Sequence, residues 1–428
     1  MKFRSASALL ARLLIWPLVG MALLYLILLL INRHDQPASP AAQRLEDASR
    51  ARVPVAESDN GYLYSEGFGH IRENDSVRLK QGEGQAFKTL RDGCKSMDRA
   101  CETLLASSEK ALRSALDADP WTLARYRDLI LRGAWQGPMP IDVKHGAPRL
   151  VPAAVGQQLL MMDAWNRARA GDAAAVGVAL SQDHRFWRMV LSTSDDLMGK
   201  SYARVALRRN LLWGNIVLAQ LPRGRQEAAV PAQWRQPFTL QERSLMATMV
   251  GEYQFLKTVL DDMAGEAAVH ESPLVWPVWS ITAPLLQRQD SMNTWAARNL
   301  PRIAALDVGY RDYPAALARL RALEKSASSD WSLEIAYNPV GKTLMSEVPE
   351  WSSYSARLAD LEGIRLATLL AAELRSVGVA LHKVPDYVAA APLRNPFDGK
   401  PFGWDARTRS LIFTGLEPGP RGRSELAY

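Results

Sequence analysis

The chain has 428 residues, of which 48% are hydrophobic and 23% charged, enough apolar material for a sizeable core. Its formal charge of +7 and pI near 9.4 resemble those of a nucleic-acid binder. However, removing residues 1–33 takes away Lys2, Arg4, Arg12 and Arg33 and no acid, leaving +3, and no dense Lys/Arg block remains, which excludes DNA or RNA as the partner.

Residues 13–31 form an uncharged apolar run of 19 residues. As a helix rising ~1.5 Å per residue it reaches about 28 Å, close to the hydrocarbon thickness of a bilayer. Lys2, Arg4 and Arg12 precede it, whereas Arg33 and Asp35 behind it cancel. The positive-inside rule therefore puts the N-terminus in the cytoplasm and the bulk outside. Pro17 is expected in the first turn, where its missing N–H costs little. A cleavable signal peptide fits worse: the core is too long, and Ser39-Pro40-Ala41 carries proline in the middle of the cleavage site. Residues 211–221 are too short to span, and 274–286 are broken by Pro277 and Pro284. The expectation is a single-pass anchor in the inner membrane of a Gram-negative bacterium, with a periplasmic body.

Residues 34–58 read as a linker, with room for a short helix near 41–50. The Tyr- and Gly-rich stretch 60–70 reads as extended, laying Tyr62, Tyr64 or Phe68 on the body. Cys94 and Cys101 follow, seven positions apart. In an oxidising compartment such a pair favours a disulfide. One continuous helix would hold their Cα atoms ~10 Å apart, so bonding requires a helix that starts after Cys94, with Gly93 and Ser96 allowing it. The spacing is not Cys-x-x-Cys, and no second Cys pair or His cluster is close enough in sequence for a metal.

Beyond residue 96 the apolar period is helical, with Cys101, Leu104, Leu105, Leu112 and Leu116 on one face. Asp119-Pro120 is a stop followed by an N-cap and N1 proline. Residues 133–150 read as a loop, and helices are expected near 151–169, 172–180, 183–198 and 202–220. Thr239-Leu-Gln-Glu242 is a capping box opening a helix to about 262. Residues 268–293 read as irregular, 294–305 and 312–325 as helices. The strongest helix is 353–376, with Glu362 and Arg365 an i,i+3 pair and Gly378 at the αL cap. Residues 395–405 and 410–415 read as two strands of a hairpin around a polar turn. Twelve of the thirteen tryptophans lie beyond the anchor and are expected mostly buried.

Asn338-Pro339-Val340-Gly341-Lys342, the helix bearing Arg357 and Asp360, and Asn395-Pro-Phe-Asp-Gly-Lys-Pro-Phe402 occur together near the C-terminus. This combination resembles the C-terminal region of uncharacterised, membrane-anchored proteobacterial proteins. The resemblance implies a related fold there and no particular activity.

The chemical motifs are weak. Ala336-Tyr-Asn-Pro-Val-Gly341-Lys342-Thr343 matches a loose phosphate-binding loop, but the preceding strand and a following helix free of proline are missing, and no nucleotide is expected. Glu271-Ser272 echoes the Glu-Ser pair of lytic transglycosylases without its companion segment. The six histidines are scattered, and no cofactor or metal site is read. Asp195-Asp196 reads as a helix end, and Arg185, Arg188, Arg208 and Arg209 as solvated faces or partners of nearby acids.

The fold expected is mainly α: anchor and cytoplasmic tip at 1–33, linker 34–58, helical periplasmic domain 59–335, and a C-terminal helix with a β-hairpin at 336–428. The function expected is binding: a scaffold or assembly factor that meets an envelope protein, with no chemistry of its own. One alternative is a peptidoglycan hydrolase using Glu252 or Glu271. Another is a periplasmic chaperone, which needs exposed Trp and Leu on a concave face.

Overall fold

The computed structural model describes residues 3–69, 84–139, 150–264, 276–326, 336–346 and 350–428, with the helical backbone alone at 3–14, 264 and 276–278. Helix α1 (Phe3–Ile31) contains no acid and is apolar on all sides beyond Arg12. It begins ten residues before the apolar run, so Pro17 lies in its interior rather than its first turn. An interior proline brings no N–H and so removes one bond of the helix ladder. Among the residues whose side chains are described, no helix is long and apolar enough to cross a membrane; α1 enters that set only from Ile15.

The stretch expected as a linker is docked. Ser39 Oγ accepts from Ala42 N–H and Pro40 occupies the first turn, which starts α2 (Pro40–Arg50). Its Ala42 and Leu45 are buried, and it packs against two helices from the middle of the chain. Residues 61–69 are helical, not extended: Asn60, itself extended, accepts through Oδ1 from Tyr62 N–H and opens α3 (Gly61–Glu66), which runs into a 3-10 turn at Gly67–Gly69. One capping residue outweighs the alternating pattern.

Helices α4 (Gln85–Gly93) and α5 (Arg99–Ser107) flank the cysteines. The Cys94 and Cys101 sulfurs lie at disulfide distance, with Cα atoms 4.5 Å apart. The break needed for this is present, although its cap is Asp98, which accepts from Ala100 and Cys101 N–H, and not Ser96. A second break at Ser108 separates α5 from α6 (Glu109–Ala118). Cys101, Leu105 and Leu112 are buried, so the apolar face persists across it. Asp119 caps α7 (Pro120–Leu129) as the sequence predicts.

Helices α8 (Leu150–Arg169), α9 (Ala173–Thr193) and α10 (Leu197–Leu218) form the centre, each touching the other two. The two helices expected over 172–198 are one. A short helix α11 (Arg223–Ala229) follows. The Thr239 capping box is formed, but α12 (Leu240–Arg243) stops after one turn and the chain restarts as α13 (Met246–Ala264). Of the stretch 268–293 expected to be irregular, 268–275 lie outside the described residues, and the rest is mostly helical: α14 (Trp276–Thr282), a 3-10 turn at Ala283–Leu285 and the start of α15 (Arg288–Ala304).

Helix α16 (Tyr313–Ser326) and the short α17 (Pro339–Ser346) lead to α18 (Trp351–Val377), which packs along α10 and ends at Gly378 with φ +73°, a left-handed cap. After α19 (Val384–Ala390) the Asn395–Lys400 turn closes on itself: Asn395 Oδ1 takes Phe397 N–H, and Asn395 carbonyl takes Gly399 N–H. The hairpin of β1 (Gly403–Asp405) and β2 (Ser410–Thr414) carries a third antiparallel strand, β3 (Arg423–Ala427), which seats against α10 and α18. The sequence Arg-Ser-Glu-Leu-Ala has no β-branched or aromatic residue to announce it. The buried core is continuous from Ala42 to Ala427, so residues 336–428 complete the body.

Candidate functional site

The most elaborate polar construction lies where α1 joins the body. Asn32 follows the last turn of α1 and is almost fully buried. Its Nδ2 donates to the Leu28 and Ala336 carbonyls, each at 2.8 Å. Its Oδ1 accepts from Asn338 N–H at 2.6 Å, and its carbonyl accepts from Gln287 Nε2 at 2.6 Å. Asn338, fully buried and left-handed at φ +53°, continues the network. Its Oδ1 accepts from Gln287 and Gly341 N–H at 2.9 and 3.0 Å, and its Nδ2 donates to Asp290 Oδ2 and Ser291 Oγ at 2.8 and 2.9 Å. Asparagine suits this position because it tolerates αL backbone and offers both donors and acceptors.

Asp35 adds a cap supplied from a distance. Helix α15 has no side-chain cap of its own at Gln287. Instead Asp35 accepts from Gln289 N–H at 2.7 Å and Asp290 N–H at 3.0 Å, placing a carboxylate at the positive end of the helix. Asn293 bonds Ser39 N–H and the Pro37 carbonyl, and Tyr337 OH donates to the His34 carbonyl. Residues 32–39 are therefore fixed to the body, while Trp16, Leu18, Leu23, Leu24, Ile27 and Leu30 of α1 stay exposed.

This geometry explains Ala336–Thr343 without a nucleotide. Gly341 N–H is already taken by Asn338 Oδ1, and a Cβ on Gly341 would lie 2.0 Å from Ser291 Oγ. The glycine is there for close packing.

No known protein family, curated protein or solved structure matches this chain.

A groove of about 760 Å³ opens between the end of α2, residues 52–54 and 136–139, and α13. Arg52, Pro54, Met139, Gln254, Lys257 and Thr258 are among its walls. Its charges are answered within the protein: Arg52 pairs with Asp195, Lys257 with Glu46 at 3.1 Å, and Asp261 with Arg288 at 2.9 Å. Gln136 holds the opposite wall in place through Val53 carbonyl and Val55 N–H. Such a surface offers amides, hydroxyls and apolar edges, with little unbalanced charge for a phosphate.

Of the two acids considered for hydrolysis, Glu252 is among the described residues. Glu252 points at backbone: its Oε1 accepts Leu197 N–H at 2.9 Å and helps Asp196 cap α10. Burial raises its carboxyl above the usual range, and the Leu197 bond opposes that. Beside it, burial pushes Asp195 up to about 6 despite Arg52. Glu271 and Ser272 lie outside the described residues. Among the described residues, no three His, Cys, Asp or Glu side chains are grouped to hold a metal.

Arg188 is not a solvated cation. It grips Glu242 with two bonds of 2.5 and 2.6 Å, reaches the Gln236 and Pro237 carbonyls, and lies over the Phe238 ring. Arg209 donates to Gln157, and Arg208 to Ser424. A buried network also joins Asp183 to Tyr126, Gln157 and Asn210, with His184 against Asn210. Its members come from α7 to α10, so no local spacing announces it. Burial drives the His184 imidazole down to about 3, keeping it neutral. Trp165, Trp187, Trp234 and Trp351 are core residues.

Lys200 gives a pH prediction. It is fully buried, with Nζ donating to the Leu191 carbonyl at 2.8 Å, and burial lowers it to about 7 against the pull of Glu242 and Asp307. The unfolded chain holds that proton up to ~10.4, so between pH 7 and that value the unfolded state binds more protons and stability rises with pH. Lys200→Met is expected to remove about 2–3 kcal/mol of the gain between pH 7 and 9.5. Urea titrations of both proteins at the two pH values measure it; parallel pH dependences would show that Lys200 keeps an ordinary ammonium.

Proposed function

We propose that this protein is a membrane-anchored binding protein of the bacterial envelope, inserted through α1 with its N-terminus cytoplasmic and its body on the periplasmic face. The observation that carries the reading is the combination at α1: an apolar helix with side chains exposed from residue 15 onward, joined to the body by the buried Asn32–Asn338 network. Exposing so much contiguous apolar surface to water is costly, and a bilayer removes the cost. Lys2, Arg4 and Arg12 set the orientation. The cysteine pair at disulfide distance suits an oxidising compartment.

The binding surface in this reading is the α2–α13 groove, and its ligand is an extended segment of another envelope protein. Pro54 and Met139 give apolar contact, and Gln254 and Thr258 match peptide groups. The direct descent from α1 to α2 holds this groove at a set height above the membrane.

Washing membranes with alkaline carbonate is expected to leave the full chain in the pellet and to release a chain lacking residues 1–31. Protease added to spheroplasts should reach the body. Release of the full chain by carbonate would refute the anchor. A photoreactive residue at Thr258 should capture one recurrent envelope protein; capture of glycan strands instead would favour a cell-wall hydrolase.

A further inference from the structure

The body touches α1 at a second place, well above its foot. Tyr25 OH donates to the Ile281 carbonyl at 2.9 Å, and residues Ala283–Leu285 pack on α1. Tyr25 lies six residues before Ile31, the end of the apolar run. At ~1.5 Å per residue that is about 9 Å along the helix, and helical side chains lean toward the N-terminus, further from the body. The carbonyl that Tyr25 meets therefore sits beside the apolar part of α1, not beside Arg33–Asp35.

The segment at that level suits an apolar medium. From Trp276 to Gln287 there is no charged residue. Ile281 is 56% exposed although it is large and apolar, and Trp279 is half-buried. The polar backbone is largely answered from within: the Ile281 carbonyl at the end of α14 takes the Tyr25 hydroxyl, Leu286 N–H meets the Ala283 carbonyl, and Pro284 has no N–H to satisfy.

We propose that Trp276–Leu286 is a second membrane contact, an interfacial segment that lies against α1 inside the periplasmic leaflet. This rests on α1 being the anchor. Two contacts, one through the membrane and one within its surface layer, fix the tilt of the body in a way that a single helix does not. They orient the α2–α13 groove relative to the bilayer.

The test uses the full chain in nanodiscs of phosphatidylethanolamine and phosphatidylglycerol, with a nitroxide attached at Ile281→Cys, Leu24→Cys or Val178→Cys. Leu24 reports on α1, and Val178 is an exposed position on the body. Accessibility to oxygen and to a water-soluble nickel chelate is read by power saturation. The oxygen-to-nickel ratio at 281 should be several-fold above that at 178 and approach that at 24. A ratio at 281 equal to that at 178, with 24 in lipid, overturns the interfacial contact and leaves the anchor standing. An aqueous signal at 24 overturns the anchor, and the contact with it.

Discussion

Replacing Asn338 by alanine is expected to destabilise the protein by about 4 kcal/mol and to loosen α1 from the body. The side chain is fully buried and accepts from two backbone N–H groups while donating to Asp290 and Ser291. Alanine takes the acceptor away from the buried Gln287 and Gly341 N–H groups, at about 1–3 kcal/mol for each left unmet, whereas Ser291 Oγ keeps its bond to the Gln287 carbonyl and the half-buried Asp290 meets water. It also has to adopt φ near +53°, which adds roughly 1 kcal/mol for a residue other than Gly, Asn or Asp. Asn338→Gly separates the two costs, because glycine accepts the backbone angle and lacks the side chain. It should be about 1 kcal/mol more stable than the alanine variant. Denaturant unfolding in detergent micelles measures both, and hydrogen exchange at residues 28–36 and 286–291 should rise together in each. A loss below about 1 kcal/mol, with exchange unchanged, would mean that the network does not hold the foot of α1.

How much of this was legible depends on the distance between partners along the chain. The Asp119-Pro120 start, the Thr239–Glu242 box, the Gly378 cap and the need for a break between Cys94 and Cys101 all involve residues a few positions apart, and each is found. The foot of α1 is of the opposite kind: Asn32 and Asn338 are 306 positions apart, and Asp35 caps a helix that begins near residue 288. Asn32 and Asp35 belong to no pattern, and Asn338 stands in a stretch whose spacing reads as a loose phosphate loop and says nothing of Asn32. Residues 34–58 looked like a tether because Ala42 and Leu45 are too few to make a visible apolar stripe, yet they suffice once α13 and α15 are beside them. Arg188 reads equally as solvated or as the partner of a nearby acid, because the acid it does meet, Glu242, lies 54 positions away. Burial of charge is set by tertiary neighbours, and periodicity carries no record of them.

The Glu362–Arg365 pair shows the same limit in energetic terms. Read from the sequence it is an i,i+3 contact on a helix face, with a coupling of about 0.2–0.5 kcal/mol. In the folded chain both side chains are nearly inaccessible. Arg365 Nε donates to Glu362 Oε2 at 2.9 Å and its NH1 to the Trp234 carbonyl at 2.6 Å, while Glu362 Oε2 also accepts Phe238 N–H at 3.1 Å. The pair therefore pins residues 234–238, the segment that Arg188 grips from the other side, onto α18. Arg365→Met leaves a buried carboxylate with only a backbone donor and is expected to cost about 3–5 kcal/mol. Glu362→Leu strands the guanidinium and should cost a similar amount. The double variant removes both charges and should be less destabilised than the sum of the singles by about 3 kcal/mol, the signature of two groups that suffer from each other's absence. A coupling under about 0.5 kcal/mol would return the pair to an ordinary helix-surface contact and would require water to reach it. The magnitude of the coupling thus reads the packing of the 234–238 segment on α18 directly, since the charges are costly to separate only while that segment keeps them dry.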